Sequence, residues 1–467
     1  MILLFLILVS NGWTQEKLNT HEIKKQRKKK IDSEISTKTR NAQSEEQKGK
    51  PQEAQGEKSS RHENPNNVPY RTRKSVLVHF LSLPAKIWHL AWTPLGATVI
   101  WAEQNRIPQK VNNFFYLNDE RTAALFPLIS LGGNTGAGGG LMLFHNNLFN
   151  KRKKIRLSAL YSTADNNTAS LAYQDSSLFG SSFFFDVTGA YFNDSDENLY
   201  ISRAVSPENL NDSSIGANNS KDSDETSYAT EEVAVLANLG YAFSEKVGLG
   251  IVSSFRRADI DSGDGAGGSE FPLNIPGSGA TSLFSIGGAL TFNFTKGWPR
   301  ALSGTSFRVS YTYNREIDGS RFEYNRFNLE ASQFIPIPFF AKNRRLAIRG
   351  LFEKIDRIGD KQVPFYELSM LGDAANLRGF DQNRFRGRGL LQFNFEYRYP
   401  VWDTWDAVIF LDEGQVYDDL GDLAIDEFHT AVGAGLRFMS QTGFLMRFEV
   451  ARSSEQWRAL FQIMPNF

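Results

Sequence analysis

The sequence predicts an all-β membrane protein, a 16-stranded antiparallel transmembrane β-barrel behind a disordered basic arm and one short helix. Three observations carry this reading. Apolar and polar residues alternate with period two from residue 121 to the end. The apolar face is rich in aromatics on strand after strand, and helical patterns able to cover it are missing. A soluble sandwich also alternates, but its apolar faces meet in one core. An aromatic exterior around a polar lumen fits a barrel in lipid instead.

The elements follow in order. Residues 1–15 read as a signal peptide, with eight apolar residues from Ile2 to Val9 and then Ser10, Asn11 and Gly12. Eight helical residues cover only about 12 Å, far short of a ~30 Å hydrocarbon core. The customary basic residue before the apolar run is missing, which leaves the translation start open. Residues 16–75 hold 16 Lys+Arg against 9 Asp+Glu, including six basic residues among the seven from Lys24 to Lys30. Almost nothing there is able to form a core, so a solvated, disordered tether is expected. This arm hides a split, because the whole chain balances 52 Lys+Arg against 52 Asp+Glu. A net charge of zero gives no global footprint for nucleic acid, and none is expected as a partner.

Residues 76–110 are more apolar, but Pro84, Lys86 and Pro94 interrupt them, and Leu83, Ile87, Leu90 and Ala91 share one helical face. They predict an amphipathic helix and linker rather than a spanning helix. The barrel is assigned to 111–467. In Phe307–Asn314 one face is Phe, Val, Tyr, Tyr and the other Arg, Ser, Thr, Asn. Leu391–Tyr399 repeats the pattern, with Gln392, Asn394, Glu396 and Arg398 on its polar face. Sixteen strands are expected to begin near residues 122, 136, 153, 168, 181, 230, 246, 281, 304, 320, 343, 388, 405, 428, 442 and 457. Mostly short links alternate with a set holding the long polar insertions 193–229, 257–280 and 356–387. Short periplasmic turns and long outer loops alternate in this way in an outer-membrane barrel.

The sharpest chemical signal lies in the sixth outer loop and the two strands after it. Leu377-Arg378-Gly379-Phe380 sits on that loop, Glu396 on the polar face of the twelfth strand, and Phe410-Leu411-Asp412-Glu413-Gly414 closes the thirteenth. If the loop folds into the lumen, Arg378 meets both carboxylates, and Gly414 leaves room for the incoming chain. The five donors of a guanidinium suit two carboxylates better than a lysine does.

These motifs, with Gly387-Arg388-Gly389-Leu390-Leu391, Arg398 and Pro400 between them, resemble the bacterial surface antigen barrel. That superfamily comprises outer-membrane assembly insertases and two-partner-secretion transporters. The resemblance is strong over 365–467 and looser over 110–365. It implies a sixth loop that enters the barrel, and a latch of Arg378 with Glu396 and Asp412, framed by Gly379, Phe380 and Gly414. Family transporters usually carry compact periplasmic polypeptide-transport-associated domains before the barrel. Here a tether and one helix stand in that place, which resembles the subgroup lacking those domains. A separate periplasmic partner is then expected to stand in for them.

A second inference needs no family. Pro127 in the first strand and Pro465 in the last each remove a backbone donor where the barrel must close, so a weak lateral seam ending at Phe467 is expected. Other constellations carry less. Asp259, Asp261, Asp264 and Glu270 match a calcium loop only in part. Gly136 to Gly140 has no following lysine to make a phosphate loop, and the histidines lack zinc-ligand spacing. With no cysteine and no Gly-x-Ser-x-Gly, neither enzyme chemistry nor a cofactor is expected. The expectation is a barrel in outer-membrane lipid that inserts or translocates unfolded polypeptide, or other amphipathic cargo. The alternatives are a structural or partner-binding surface antigen and a passive pore.

Overall fold

A computed structural model of the chain describes residues 114–465, apart from 132–136, 164–165, 202–214, 222–223, 264–270, 273, 298–300, 339–342, 402–403 and 440–443. The predicted signal peptide, basic arm and amphipathic helix lie outside the described residues, as does Phe467. The first eleven strands are β1 (Ala123–Leu131), β2 (Ala137–Leu148), β3 (Lys153–Ser162), β4 (Asn167–Asp175), β5 (Phe183–Tyr200), β6 (Glu225–Ser244), β7 (Val247–Ser262), β8 (Thr281–Asn293), β9 (Gly304–Glu316), β10 (Glu323–Pro336) and β11 (Arg345–Arg357). After them come a small inserted ribbon, β12 (Ser369–Leu371) and β13 (Phe385–Gly387), and then β14 (Gly389–Pro400), β15 (Trp405–Tyr417), β16 (His429–Met439), β17 (Phe444–Arg452) and β18 (Trp457–Pro465).

All strands but β12 and β13 join in one closed barrel, each antiparallel to its neighbour, with β14 following β11 and β18 returning to β1. The sixteen barrel strands match the sequence expectation, because period-two alternation is read directly from the chain. All start within three residues of it except β6, which begins at Glu225 and not near 230. Leu141 and Leu143 point outward, 56% and 41% exposed, while Met142 and Phe144 between them are buried. On β6, Val233 and Val235 face out, and Glu232 and Ala234 face in. A one-residue slip would exchange the two faces of a strand, so this patterning also fixes register.

Three strands exceed the expected ~9–11-residue span by the most. β5, β6 and β7 run for 18, 20 and 16 residues, so both ends of the insertion assigned to 193–229 are strand, not loop. The extensions hold because they pair with each other, from Glu197 opposite Tyr228 to Tyr228 opposite Ser262. Their inner faces also feed an apolar cluster of Leu199, Tyr228, Ile260 and Phe271 with Phe365 of the sixth outer link. Polar composition hid this, since strands clear of the membrane need no apolar outer face.

The natural sequence has no cysteine, so single cysteines report the wall without background. Leu141→Cys should react with a lipid-phase maleimide in reconstituted barrel, and Met142→Cys should stay unlabelled until the protein is unfolded. Equal labelling of the two would contradict the register.

Candidate functional site

The sixth outer link, residues 358–388, turns inward and carries the small β12–β13 ribbon. Its fold is written locally. Gly372 and Gly379 take left-handed φ values of 108° and 97°, where side chains other than hydrogen are strained. Between them Asp373 Oδ1 accepts the Asn376 N–H at 2.7 Å, and Asn376 Oδ1 accepts the N–H groups of Gly372 at 3.0 Å and Leu377 at 2.6 Å. These side-chain turns present Arg378 to the wall.

Arg378 is 3% exposed and meets Asp412 bidentately, Nε to Oδ2 at 2.7 Å and Nη2 to Oδ1 at 2.6 Å. Its Nη1 donates to Glu396 Oε1 at 2.9 Å and to Glu449 Oε2 at 3.2 Å. The guanidinium lies over the Phe410 ring, 3.5 Å from the centroid, which adds a cation–π contact. Its own backbone N–H also reaches Asp412 Oδ2, at 3.2 Å. Three carboxylates around one cation would leave excess negative charge, but two more arginines balance it. Arg437 donates to both oxygens of Glu396, at 2.7 and 3.0 Å, and to Glu449 at 2.7 Å; Arg398 donates to Glu396 at 2.8 Å. The site is therefore a six-member ionic network of equal and opposite charge. Asn394 completes it, donating to Asp412 at 2.7 Å.

The structure brings together all the residues expected for the latch. Ser453 Oγ donates to the Gly379 carbonyl at 2.7 Å, and a Cβ on Gly379 would come within 3.2 Å of the Ser453 nitrogen. Phe380 is buried with Leu371, Leu377 and Phe385. A Cβ on Gly414 would meet both Leu371 methyls at 3.0 Å, so this glycine admits the β12–β13 ribbon.

Sequence reasoning missed Glu449 and Arg437, although Glu449 shows on the polar face of β17. It also missed a second anchor. Glu367, at the start of the inward turn, forms ion pairs with Arg256 of β7 and Arg326 of β10, and Arg256 pairs with Glu232 of β6 at 2.9 Å. Burial opposes ionisation of Glu367, but Arg256 and Arg326 outweigh it and hold the carboxyl below its usual range. Scattered over 136 positions, from Glu232 to Glu367, these four residues carry no local motif. The loop is thus tied at Glu367 to β7 and β10, and at Arg378 to β14, β15 and β17.

At the barrel closure, β1 and β18 pair only from Ile129 opposite Ile463 to Leu131 opposite Phe461 among the described residues. Asn146 N–H donates to Thr122 O, so even residues of β1 turn their backbone groups to β2 and odd ones to the seam. Ser453 N–H donates to Gln456 O, which sets odd residues of β18 toward β1 in the same way. Continuing the register two residues from Ile129 and Ile463 sets Pro127 against Pro465. Both lack the N–H that this rung would exchange.

Arg378→Ala should lower the unfolding midpoint of the barrel by the equivalent of ~3–5 kcal/mol, because three buried carboxylates lose their shared partner. Heat-modifiability on electrophoresis measures it, and Arg378→Lys should recover only part of the loss. Glu367→Gln should cost less. Its effect is present above the unfolded carboxylate value of ~4.3 and vanishes as pH falls through the lower folded value. Midpoints of Glu367→Gln and the unmodified protein should therefore converge only in strong acid.

The comparisons with known proteins bear on the family and the fold. Residues 147–456 match the Omp85 superfamily domain. Among solved structures, BamA from Haemophilus ducreyi lacking POTRA domains 1-3 is similar at 15% identity and a TM-score of 0.52, over 73% of this chain and 69% of that one. CdiB from Acinetobacter baumannii gives 14% identity and a TM-score of 0.48, over 73% of this chain and 59% of that one. No curated protein matches the sequence significantly. A sixteen-stranded barrel with an inward sixth loop, matched by the domain model over two thirds of its length, makes this chain an outer-membrane member of the Omp85 superfamily.

Proposed function

We propose that this barrel inserts or translocates polypeptide, or other amphipathic cargo, through the β1–β18 seam, with the sixth loop as the brace that sets the seam's shape. The carrying observation is the seam itself, where pairing among the described residues covers Ile129 to Leu131 and Pro127 and Pro465 lie two residues beyond its last pair. Strand edges with free backbone groups pair with other strands, and a cargo strand is the natural occupant.

The brace reaches the seam through named bonds. Arg447 donates to the Ala374 carbonyl of the sixth loop at 2.8 Å and to Gln462 at 2.7 Å, and Gln462 stands opposite Ser130 in the seam. Arg458 of β18 donates to the Phe380 carbonyl at 2.7 Å. Displacing the loop therefore pulls on the strand that closes the barrel. Passive conduction is the weaker reading, because a buried loop crosses the lumen. Outer-membrane lipid surrounds the barrel on this reading, and a separate periplasmic protein delivers the cargo.

The test is folding of an unfolded outer-membrane protein into liposomes with and without the barrel. Acceleration is expected from the unmodified protein, with loss in Arg378→Ala. A disulfide between Ile129→Cys and Ile463→Cys should abolish it until reduced, since opposed residues in such a pair lie within disulfide reach. Absence of acceleration by the unmodified barrel would overturn the proposal in favour of a partner-binding barrel.

A further inference from the structure

At the start of β1, beyond its described pairing with β18, the seam edge is met by the chain itself. Leu117 N–H donates to the Ala123 carbonyl at 2.9 Å, and Tyr116 forms an antiparallel bridge with Ala124. Ala123 is an odd residue of β1, so its backbone groups turn to the seam and away from β2. Tyr116 and Leu117 therefore run along the seam edge of β1, in line with β18. The Ala123 N–H goes to Asn118 Oδ1 at 3.1 Å, so both of its seam-directed groups are taken locally.

The short segment also follows the wall's own alternation. The Tyr116 ring turns inward, with its centroid 6.0 Å from that of Phe126 and 6.5 Å from that of Phe144, both buried. Leu117 turns outward and is 62% exposed, as Leu125 is on the neighbouring strand. A tight turn returns the chain into β1. Asn118 Oδ1 also accepts the Thr122 N–H at 2.9 Å, Asn118 Nδ2 donates to Thr122 Oγ1 at 2.7 Å, and Arg121 sits at a φ of 55°. The bridge to β1 is short, in contrast to the long ladders elsewhere in the wall.

We propose that Tyr116–Leu117 is a self-strand guarding the strand-accepting edge of β1, which an incoming strand must displace before it pairs at the seam. This rests on the reading of the seam as the cargo site. Along β1 the self-strand covers Ala123 and Ala124, Pro127 offers no donor, and β18 holds Ile129 to Leu131.

Tyr116 and Ala124 oppose each other in the closely spaced kind of antiparallel pair, so Tyr116→Cys with Ala124→Cys allows a reversible lock. The probe is a fluorescent peptide copying Trp457–Phe467, added to the full chain in liposomes. Oxidation should form the disulfide in the folded barrel and weaken peptide binding about tenfold relative to the same protein reduced. Leu117→Pro removes the donor to Ala123 and should bind the peptide several-fold more tightly than the unmodified protein. Failure of the disulfide to form in folded barrel, or equal binding by locked and reduced forms, overturns the guard. The folding assay separates the two readings. Acceleration that the lock leaves unchanged removes the guard alone. A lock that blocks the peptide, in a barrel that accelerates nothing, supports the guard and removes the cargo reading.

Discussion

The described architecture depends on one buried charge. A guanidinium taken out of water costs several kcal/mol unless its field is matched and its donors are used. Arg378 meets that requirement only where Asp412, Glu396 and Glu449 converge, and those three come from β15, β14 and β17. The sixth loop therefore has one place to be. The carboxylates in turn need Arg398 and Arg437, since three acids close together repel. Neither the loop nor this part of the wall is stable in its observed form without the other.

A single tie would leave the loop free to pivot. Glu367 supplies the second, on β7 and β10, whereas Arg378 holds β14, β15 and β17. Between them the chain is stiffened by side-chain turns at Asp373 and Asn376 and by an apolar cluster around Leu371, Leu377 and Phe385. Arg384 and Arg386 extend the hold outward, to Glu455 at 2.8 Å and to Tyr228 at 2.8 Å. The loop acts as a cross-member, and its bonds to Arg447 and Arg458 carry its position to the last two strands.

Much of this was legible in the chain. Period-two alternation sets strand count, register and lumen face because it is a property of neighbouring residues. Arg378, Glu396, Asp412 and Gly414 were legible because their spacing places them on one loop and two successive inward faces. Glu449 was visible as a polar residue on β17, but nothing local says that its strand curves back to Arg378. The Glu367 anchor depends on closure of the whole cylinder, which brings β6, β7 and β10 to the loop. The long β5–β7 extensions were misread as loop because their polar outer residues stand clear of lipid. Pro127 and Pro465 could be singled out from sequence, whereas their equal distance from the last seam pair, Ile129 opposite Ile463, required the register of the closed barrel.

Pairing around the wall is very uneven. Between β5 and β6 it runs from Phe183 opposite Tyr241 to Tyr200 opposite Glu225, whereas at closure, among the described residues, it spans Ile129 to Leu131. On the proposed reading of the seam, a cylinder built this way is mechanically anisotropic, rigid on one flank and compliant along one line. A bilayer thinner or thicker than the hydrophobic band loads the whole circumference, yet the deformation concentrates where the fewest backbone bonds resist it. The lipid around the barrel is thereby a mechanical input to that line, and its local thickness acts on the closure before any protein arrives.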